Sequence, residues 1–178
     1  IDATVGVTEQ DTKIAGYAHN QKKAIIIAVN KWDKVQKETN TMKNMEKEIR
    51  NKLSFALYAP IIFISVLKGQ RITDLLNLIE IVNSNYHTRI KTGVLNTILQ
   101  DAIMMTAPPQ DKGKRLKIFY ISQVQTAPPK FLLHVNDKEL MHFSYQRYLE
   151  NQIRQNYSLQ GVPFTFEIRE RKEKWNLF

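Results

Sequence analysis

The sequence contains no cysteine among its 178 residues. That absence excludes disulfide bridges and thiolate metal sites, and it is typical of proteins that work in a reducing cytoplasm. No apolar run approaches the ~20 residues that a transmembrane helix requires, and no basic, apolar leader of the secretory kind is recognisable at the start. We therefore expect a cytoplasmic protein with no membrane partner.

Acidic residues are also scarce, because 17 Asp and Glu face 26 Lys and Arg, which gives a net charge of +9. The imbalance is larger in residues 88–178, with 14 basic and 8 acidic side chains, than in residues 1–87, with 12 and 9. A content of 43% hydrophobic and 24% charged residues is typical of a folded globular protein. The basic balance favours a polyanionic partner, with RNA the first candidate.

Two continuously apolar runs, residues 24–29 and 61–64, have the composition of strands buried on both faces. Each run ends in a polar group, at residues 30–33 and 65–70. Helical patterns lie before, between and after them, and Thr8 opens the first helix with a capping box. Strands that alternate with helices predict an α/β unit with a parallel sheet and crossover helices. Ligands of such sheets bind at the carboxyl ends of the strands, where both polar groups lie.

The pattern changes near His87, where a second predicted domain, residues 88–178, follows the first, residues 1–87. Its predicted order is α-β-β-α-β, which indicates a small α+β domain. The predicted helices and strands lie, in chain order, at residues 95–105, 116–124, 131–135, 144–157 and 164–169.

The patterns of this second domain assign its tyrosines to particular faces of a strand and a helix. Strict alternation over residues 116–124 places Tyr120 on the same strand face as Ile118, with Ile121 on the other. Tyr145 and Tyr148 share a helical stripe with apolar residues, which favours core packing over base stacking.

The most informative group is Asn30-Lys31-x-Asp33 at the end of the first apolar run. A fixed carboxylate at Asp33 can accept both hydrogens of one guanine edge, N1–H and the N2 amino group. Adenine would leave that carboxylate unpaired, which costs on the order of several kcal/mol. Asn30 would reach the other edge of the base, and the aliphatic stem of Lys31 would lie against the purine ring.

Four residues alone are a weak signal, because a lysine-rich turn after a strand can produce this string by chance. Three features of the context raise its weight. The preceding strand is buried on both faces, and a second strand follows about thirty residues later. That second strand ends at Ser65, where guanine-binding proteins place another base-contacting turn.

The chain resembles the Der (EngA) family of bacterial ribosome-assembly GTPases, which have two G domains in tandem and a KH-like domain. The resemblance implies a partial P-loop GTPase fold, the latter half of the second G domain, over residues 1–87 and a KH-like domain over residues 88–178. It also implies GTP or GDP as ligand and a role in large-subunit assembly, with rRNA and the upstream G domains as partners. The matching stretches are IDATVGVTEQD at 1–11, NKWD at 30–33, YAPIIFIS at 58–65, HTRIKTGVLN at 87–96, RLKIFYISQVQTAPPKFLLHVN at 115–136 and HFSYQRYLENQIR at 142–154.

By this resemblance the base-reading motif at residues 30–33 is complete, whereas the second turn departs from the family. The family's second turn usually reads Ser-Ala-Lys, and here it reads Ser65-Val66-Leu67. The resemblance implies a backbone N–H from Val66 to the guanine oxygen, which any residue except proline donates. Leu67 lacks the charge of the usual lysine, so we expect some loss of nucleotide affinity.

The phosphate-binding half of a GTPase is missing from this sequence, which contains no G-x-x-x-x-G-K-[ST] loop. The family's switch segments, which hold magnesium and the attacking water, would lie upstream of Ile1. We therefore expect no catalytic residue, no metal site and no GTP hydrolysis from these residues alone. Ile1 in place of methionine favours a chain cut from a longer protein.

An ordinary KH domain clamps RNA with a G-x-x-G loop, and none occurs here. Era-like GTPases keep that loop, and its absence here counts against them, so Era is only the second candidate family. A third interpretation is an RNA-binding or scaffold module that never binds nucleotide, which the intact motif at residues 30–33 disfavours. Phosphate contacts could still come from exposed basic residues, and a basic face that meets only solvent explains them equally well. The candidates are Lys112, Lys114, Arg115, Lys117, Arg147 and Arg154.

Overall fold

The computed structural model describes residues 1–171, which divide into two compact units. The first comprises Ile1–His87 with Leu159–Pro163, and the second comprises Thr88–Ser158 with the chain from Phe164 onward. The sequence places residues 159–163 in the second domain, whereas in the structure they pack within the first unit. The predicted end of the second domain, residues 172–178, lies outside the described residues.

The first unit has two parallel strands connected by a crossover helix, in agreement with the α/β prediction. Ile27 lies opposite Ile61, and Val29 lies opposite Phe63. Asp2 forms a further parallel bridge to Asn30, just beyond the first of these strands. The elements are α1 Glu9–Asn20, β1 Ile27–Val29, α2 Thr41–Lys52, β2 Ile61–Phe63 and α3 Ile72–His87.

Local side-chain signals set the start of α1. The Asp11 backbone N–H donates to Thr8 Oγ1 at 3.2 Å, and the Thr8 N–H donates to Asp11 Oδ2 at 2.9 Å. This reciprocal pair is the predicted capping box. Helix α2 ends at Lys52, and a 3-10 turn follows at Ser54–Ala56.

The segment Leu159–Pro163 is held in the first unit by backbone hydrogen bonds around Gly161. Its N–H donates to the Tyr58 carbonyl and its carbonyl accepts from the Ile25 N–H, both at 2.8 Å. Gly161 has a φ of +77°, and a Cβ there would lie 2.4 Å from Val82 Cγ2. Both the backbone conformation and the close approach require glycine at this point.

The second unit has a three-stranded sheet with two helices and a small hairpin. In the sheet β5 pairs antiparallel with β6, and β6 pairs parallel with β7. This order contains the predicted α-β-β-α-β series, to which the hairpin of two-residue strands is an addition. The elements are α4 Thr92–Met105, β3 Gln110–Asp111, β4 Lys114–Arg115, β5 Ile118–Gln125, β6 Lys130–Val135, α5 Phe143–Asn156 and β7 Thr165–Glu170.

The predicted alternation along β5 is wrong because the strand contains a bulge. The register shifts between Ile118 and Tyr120, so Ile118 and Ile121 are both buried while Tyr120 is 38% exposed. An extra residue in one strand turns the following side chains to the opposite face. Asn96 brackets the strand at this point, since it accepts from the Ile121 N–H at 3.0 Å and donates to the Ile121 carbonyl at 2.9 Å.

The tyrosines of α5 pack in the core, as their helical stripe predicts. The Tyr145 hydroxyl donates to the Thr106 carbonyl at 2.8 Å, and the Tyr148 hydroxyl donates to the Ala102 carbonyl at 2.7 Å. Burial raises the pKa of Tyr145 to about 12. Among residues 1–171, no helix is both long and apolar enough to cross a membrane.

Candidate functional site

The turns that follow β1 and β2 meet at one edge of the parallel sheet. The Ile64 N–H donates to the Val29 carbonyl at 2.8 Å, and the Trp32 N–H donates to the Ile64 carbonyl at 3.1 Å. These bonds continue the strand pairing past the last ladder residues. The structure therefore brings together the two turns that the sequence places at adjacent strand ends.

Trp32 anchors the first turn, a role that the sequence argument missed because the motif leaves this position open. Its side chain is 3% exposed, and its ring centroid lies 4.6 Å from that of Phe63. The 3-10 turn Trp32–Lys34 forms over this buried ring. A tryptophan in an otherwise polar turn was the available signal, since a large apolar ring is rarely left in water.

Asp33 lies beside the second turn and is ionised at neutral pH. Hydrogen bonding by the Ser65 side chain lowers the pKa of Asp33, and the positive charges of Lys34 and Lys68 act in the same direction. Ser65 is fully buried, and its hydroxyl also accepts from the Lys68 N–H at 3.2 Å. Among the described residues, no cation lies within ion-pair distance of the Asp33 carboxylate. Its oxygens therefore keep capacity for further donors.

Lys31 is fixed by a carboxylate that the motif does not contain. Its backbone is left-handed, with a φ of +63°, and its ammonium lies 2.6 Å from Asp2 Oδ2. Asp2 also accepts from the Thr4 N–H at 2.9 Å, and these bonds hold the pKa of the Asp2 carboxyl well below its usual range. The ion pair joins residues 29 positions apart, so no local sequence pattern predicts it. It holds the head group of Lys31 while the side chain stays half-exposed.

Asn30 connects the two turns through its side chain. Its Oδ1 accepts from the Val66 N–H at 3.1 Å and from the neighbouring Lys31 N–H at 2.8 Å. A base oxygen that takes the Val66 N–H has to share this donor with Asn30 or displace it. Val66 and Leu67 are 62% and 79% exposed, so the second turn presents its tip to solvent.

Three of the predicted basic residues of the second unit lie on the β3–β4 hairpin. Lys112 and Gly113 form its turn, with φ values of +46° and +80°. Lys112, Lys114 and Arg115 are all exposed. Side chains of one charge at the tip of a two-stranded hairpin can reach the phosphates of a nucleic acid.

Asn136 fixes the base of this hairpin to the three-stranded sheet. Its Oδ1 accepts from the Lys117 N–H at 2.8 Å, and its Nδ2 donates to the Arg115 carbonyl at 3.0 Å. The Leu116 N–H donates to the Pro109 carbonyl at 2.9 Å. Lys117 therefore has a fixed backbone, while its side chain is exposed to solvent.

The two arginines of α5 differ in what they already contact. Arg147 is exposed, with its guanidinium 5.8 Å from the centroid of the Phe143 ring. Arg154 pairs with Glu150 at 2.9 Å and lies 4.5 Å from the Phe164 ring centroid, and its side chain is 18% exposed. The guanidinium of Arg154 is therefore engaged inside the unit, and its contact with phosphate stays a prediction. Helix α5 begins at Phe143, one residue before its predicted start.

Two family models match the chain in succession. The model described as the elongation factor Tu GTP binding domain matches residues 1–84. The model described as the KH-domain-like C-terminal part of EngA bacterial GTPase enzymes matches residues 89–169. Together they span most of the residues described above.

Curated relatives named GTPase Der align with nearly the whole chain. The protein of Finegoldia magna is 59% identical over 96% of this chain and 39% of its own length. Those of Agathobacter rectalis and Acetivibrio thermocellus are 56% and 53% identical, over 97% and 98% of this chain and 39% and 40% of their own lengths. The chain thus spans about two fifths of the relatives that it matches.

Solved structures of Era are more distant neighbours. Aquifex aeolicus Era bound to GDP and aluminium fluoride matches at a TM-score of 0.40 and 21% identity, over 96% of this chain and 63% of that one. Era with MgGDPNP and a segment of 16S ribosomal RNA matches at a TM-score of 0.40 and 22% identity, with the same coverage.

The sequence relatives and the two consecutive family models agree on one assignment, and the chain belongs to the Der (EngA) family of GTPases.

Proposed function

We propose that this chain contributes the guanine-reading part of a protein that binds and hydrolyses GTP, and that the protein acts in assembly of the large ribosomal subunit. Residues 1–87 would be the latter half of a G domain, and residues 88–178 would form a KH-like, RNA-facing domain. The observation that supports the nucleotide part most is the Asp33 carboxylate, ionised beside the Ser65 turn at the ends of two parallel strands.

The Asp33 carboxylate suits guanine because it has two acceptor oxygens and no paired cation among the described residues. With no cation paired to it among the described residues, Asp33 can accept two hydrogens from one base edge. Guanine offers N1–H and an amino group on that edge, whereas adenine offers an acceptor and a C–H. A desolvated carboxylate left without donors costs on the order of several kcal/mol, which is enough for strong discrimination.

Other residues of the two turns would position the base. The Asn30 amide and the Val66 N–H lie at the same sheet edge as Asp33, within one hydrogen-bonded frame. The aliphatic part of Lys31 would cover the ring while Asp2 holds its ammonium. The phosphate-binding loop and the magnesium ligands would come from residues upstream of Ile1. Hydrolysis of GTP is accordingly proposed for the longer protein and not for these residues alone.

The second unit would supply the RNA contacts. Its exposed Lys112, Lys114 and Arg115 lie together on the hairpin, and Lys117 and Arg147 add charge elsewhere on the unit. Neutralising phosphates with such side chains gives sequence-independent, salt-dependent affinity. A large RNA such as that of the ribosomal large subunit is the partner that this charge favours, in the cytoplasm where subunits assemble.

A comparison of triphosphates in the protein extended to the full length of its relatives tests the nucleotide assignment. Inosine lacks only the amino group at C2, so inosine triphosphate should bind about tenfold more weakly than GTP, since a hydrogen bond to a charged group contributes about 1.5–3 kcal/mol. ATP should bind more weakly still. Equal affinity for GTP and ATP, measured by calorimetry, would remove Asp33 from the role proposed here.

A further inference from the structure

A row of three side chains crosses the second unit's sheet on one face. Tyr120 of β5 is the register partner of His134 on β6, and His134 is the register partner of Arg169 on β7. Register partners point to the same face of a sheet. The bulge after Ile118 is what brings Tyr120 into this row.

The two rings of the row form a flat aromatic surface. The ring centroids of Tyr120 and His134 lie 4.1 Å apart, and their planes differ by 17°. Tyr120 is 38% exposed. In the described part of the chain β5 is the edge strand of this sheet, so no further strand covers the side of Tyr120 away from His134. The partly exposed tyrosine ring at this sheet edge is therefore the place where a second planar group would stack.

Positive charge flanks these rings. The Arg169 side chain is 60% exposed, although its guanidinium also contacts Glu167 at 2.9 Å. Burial lowers the pKa of His134, and the charges of Arg169 and Arg171 lower it further. The imidazole is therefore neutral at pH 7, and the two guanidinium groups lie near enough to influence it. A neutral π surface beside guanidinium groups combines a place for a base with places for its phosphates.

We propose that this face binds single-stranded RNA, with an unpaired base stacked on Tyr120 and a neighbouring phosphate held by Arg169. RNA is favoured over a protein partner because flat aromatic stacking and exposed arginine match the two halves of a nucleotide. Sheets that present aromatic rings in this way can stack unpaired bases without a G-x-x-G loop. The site extends the RNA-binding part of the proposed function and does not depend on the nucleotide site at Asp33.

Binding of a single-stranded oligouridylate that contains one 2-aminopurine tests this site in the complete 178-residue chain. Stacking quenches 2-aminopurine, so the fluorescence reports the contact as well as the affinity. Tyr120→Ala should weaken binding about tenfold and abolish the quenching, because stacking of one base contributes substantially to affinity. Tyr120→Phe keeps the ring and should stay within about twofold of the parent.

Two further variants separate stacking from folding and from charge. Tyr120→Leu keeps an apolar side chain at the bulged strand, so it should lose quenching even where the alanine variant folds poorly. Tyr17→Ala removes a tyrosine that is more exposed than Tyr120, 71% in the first unit, and should change nothing. Arg169→Gln should weaken binding and lower its salt dependence by about one phosphate contact.

Unchanged affinity and quenching in both Tyr120→Ala and Tyr120→Leu would overturn the proposal. The face would then serve another purpose, such as contact with a protein. Loss of binding only on charge reversal at Lys114 and Arg115 would also overturn the proposal, because all RNA contact would then lie on the hairpin. Neither result would affect the assignment of guanine to Asp33.

Discussion

The two turns of the first unit that we propose to face guanine and the basic hairpin of the second unit are built in opposite ways. In the turns, buried side chains support the polar groups of residues 30–33. Trp32 is 3% exposed, and Ser65, which hydrogen-bonds Asp33, is fully buried. In the hairpin Lys112 and Lys114 are exposed, and only the backbone at its base is anchored. The first arrangement suits a rigid ligand with a fixed donor pattern. The second suits a diffuse polyanion, whose attraction salt weakens.

Replacing the buried ring should give the largest effect and break the first side of this comparison. Trp32→Ala removes the ring packed on Phe63 and should lower the free energy of unfolding by about 3–5 kcal/mol. Urea unfolding of the full chain measures this, with Leu67→Ala, 79% exposed in the neighbouring turn, as control. Equal stability of the two variants would mean that Trp32 does not support the turn.

Charge reversal on the hairpin should break the second side with a smaller effect. Lys114→Glu with Arg115→Glu should weaken binding to the large ribosomal subunit roughly tenfold and flatten the salt dependence by about two phosphate contacts. Lys43→Glu with Lys47→Glu makes the same charge change at two exposed positions of α2. If both pairs reduce the slope of log affinity against log salt equally, the hairpin has no special role.

The smallest expected effect is a change in the pKa of one carboxyl group, Asp33, which sharpens the comparison by testing its buried neighbour Ser65. Ser65→Ala removes the main cause of the lowered Asp33 pKa, so that pKa should rise towards its ordinary value of 3.8. Because the folded pKa lies below the unfolded one, this interaction stabilises the fold above pH 3.8 and is lost as the pH falls through the folded pKa. Carboxyl NMR titration gives the answer, with exposed Ser144→Ala as control. An unchanged Asp33 pKa would show that Ser65 does not act on it.

The sequence was most informative where neighbouring residues determine the outcome. Apolar runs followed by polar groups predicted the two parallel strands, and strand direction then brought residues 30–33 near Ser65. The capping box of α1 and the buried stripe of α5 also depend on contacts within one helix. Hydrogen bonding and apolar burial at fixed spacings are readable without a structure.

Contacts between distant residues were not predictable in the same way. The ion pair from Lys31 to Asp2, the insertion of residues 159–163 into the first unit, and the bulge at Tyr120 all depend on partners far along the chain. Asn96 brackets Ile121 from another element, and no strand pattern contains that information. The face on which Tyr120 lies therefore had to come from the structure.

The most direct test of the central claim changes one atom of the Asp33 carboxylate, which we propose to bind the guanine base. Asp33→Asn, in the protein extended to the full length of its relatives, turns one of its two acceptors into a donor. Affinity for GTP should fall about a hundredfold, because the variant loses a hydrogen bond to a charged group and leaves a base donor desolvated without an acceptor. Affinity for xanthosine triphosphate should rise, because its oxygen at C2 can accept from the new amide. An unchanged preference for GTP over xanthosine triphosphate would contradict the account.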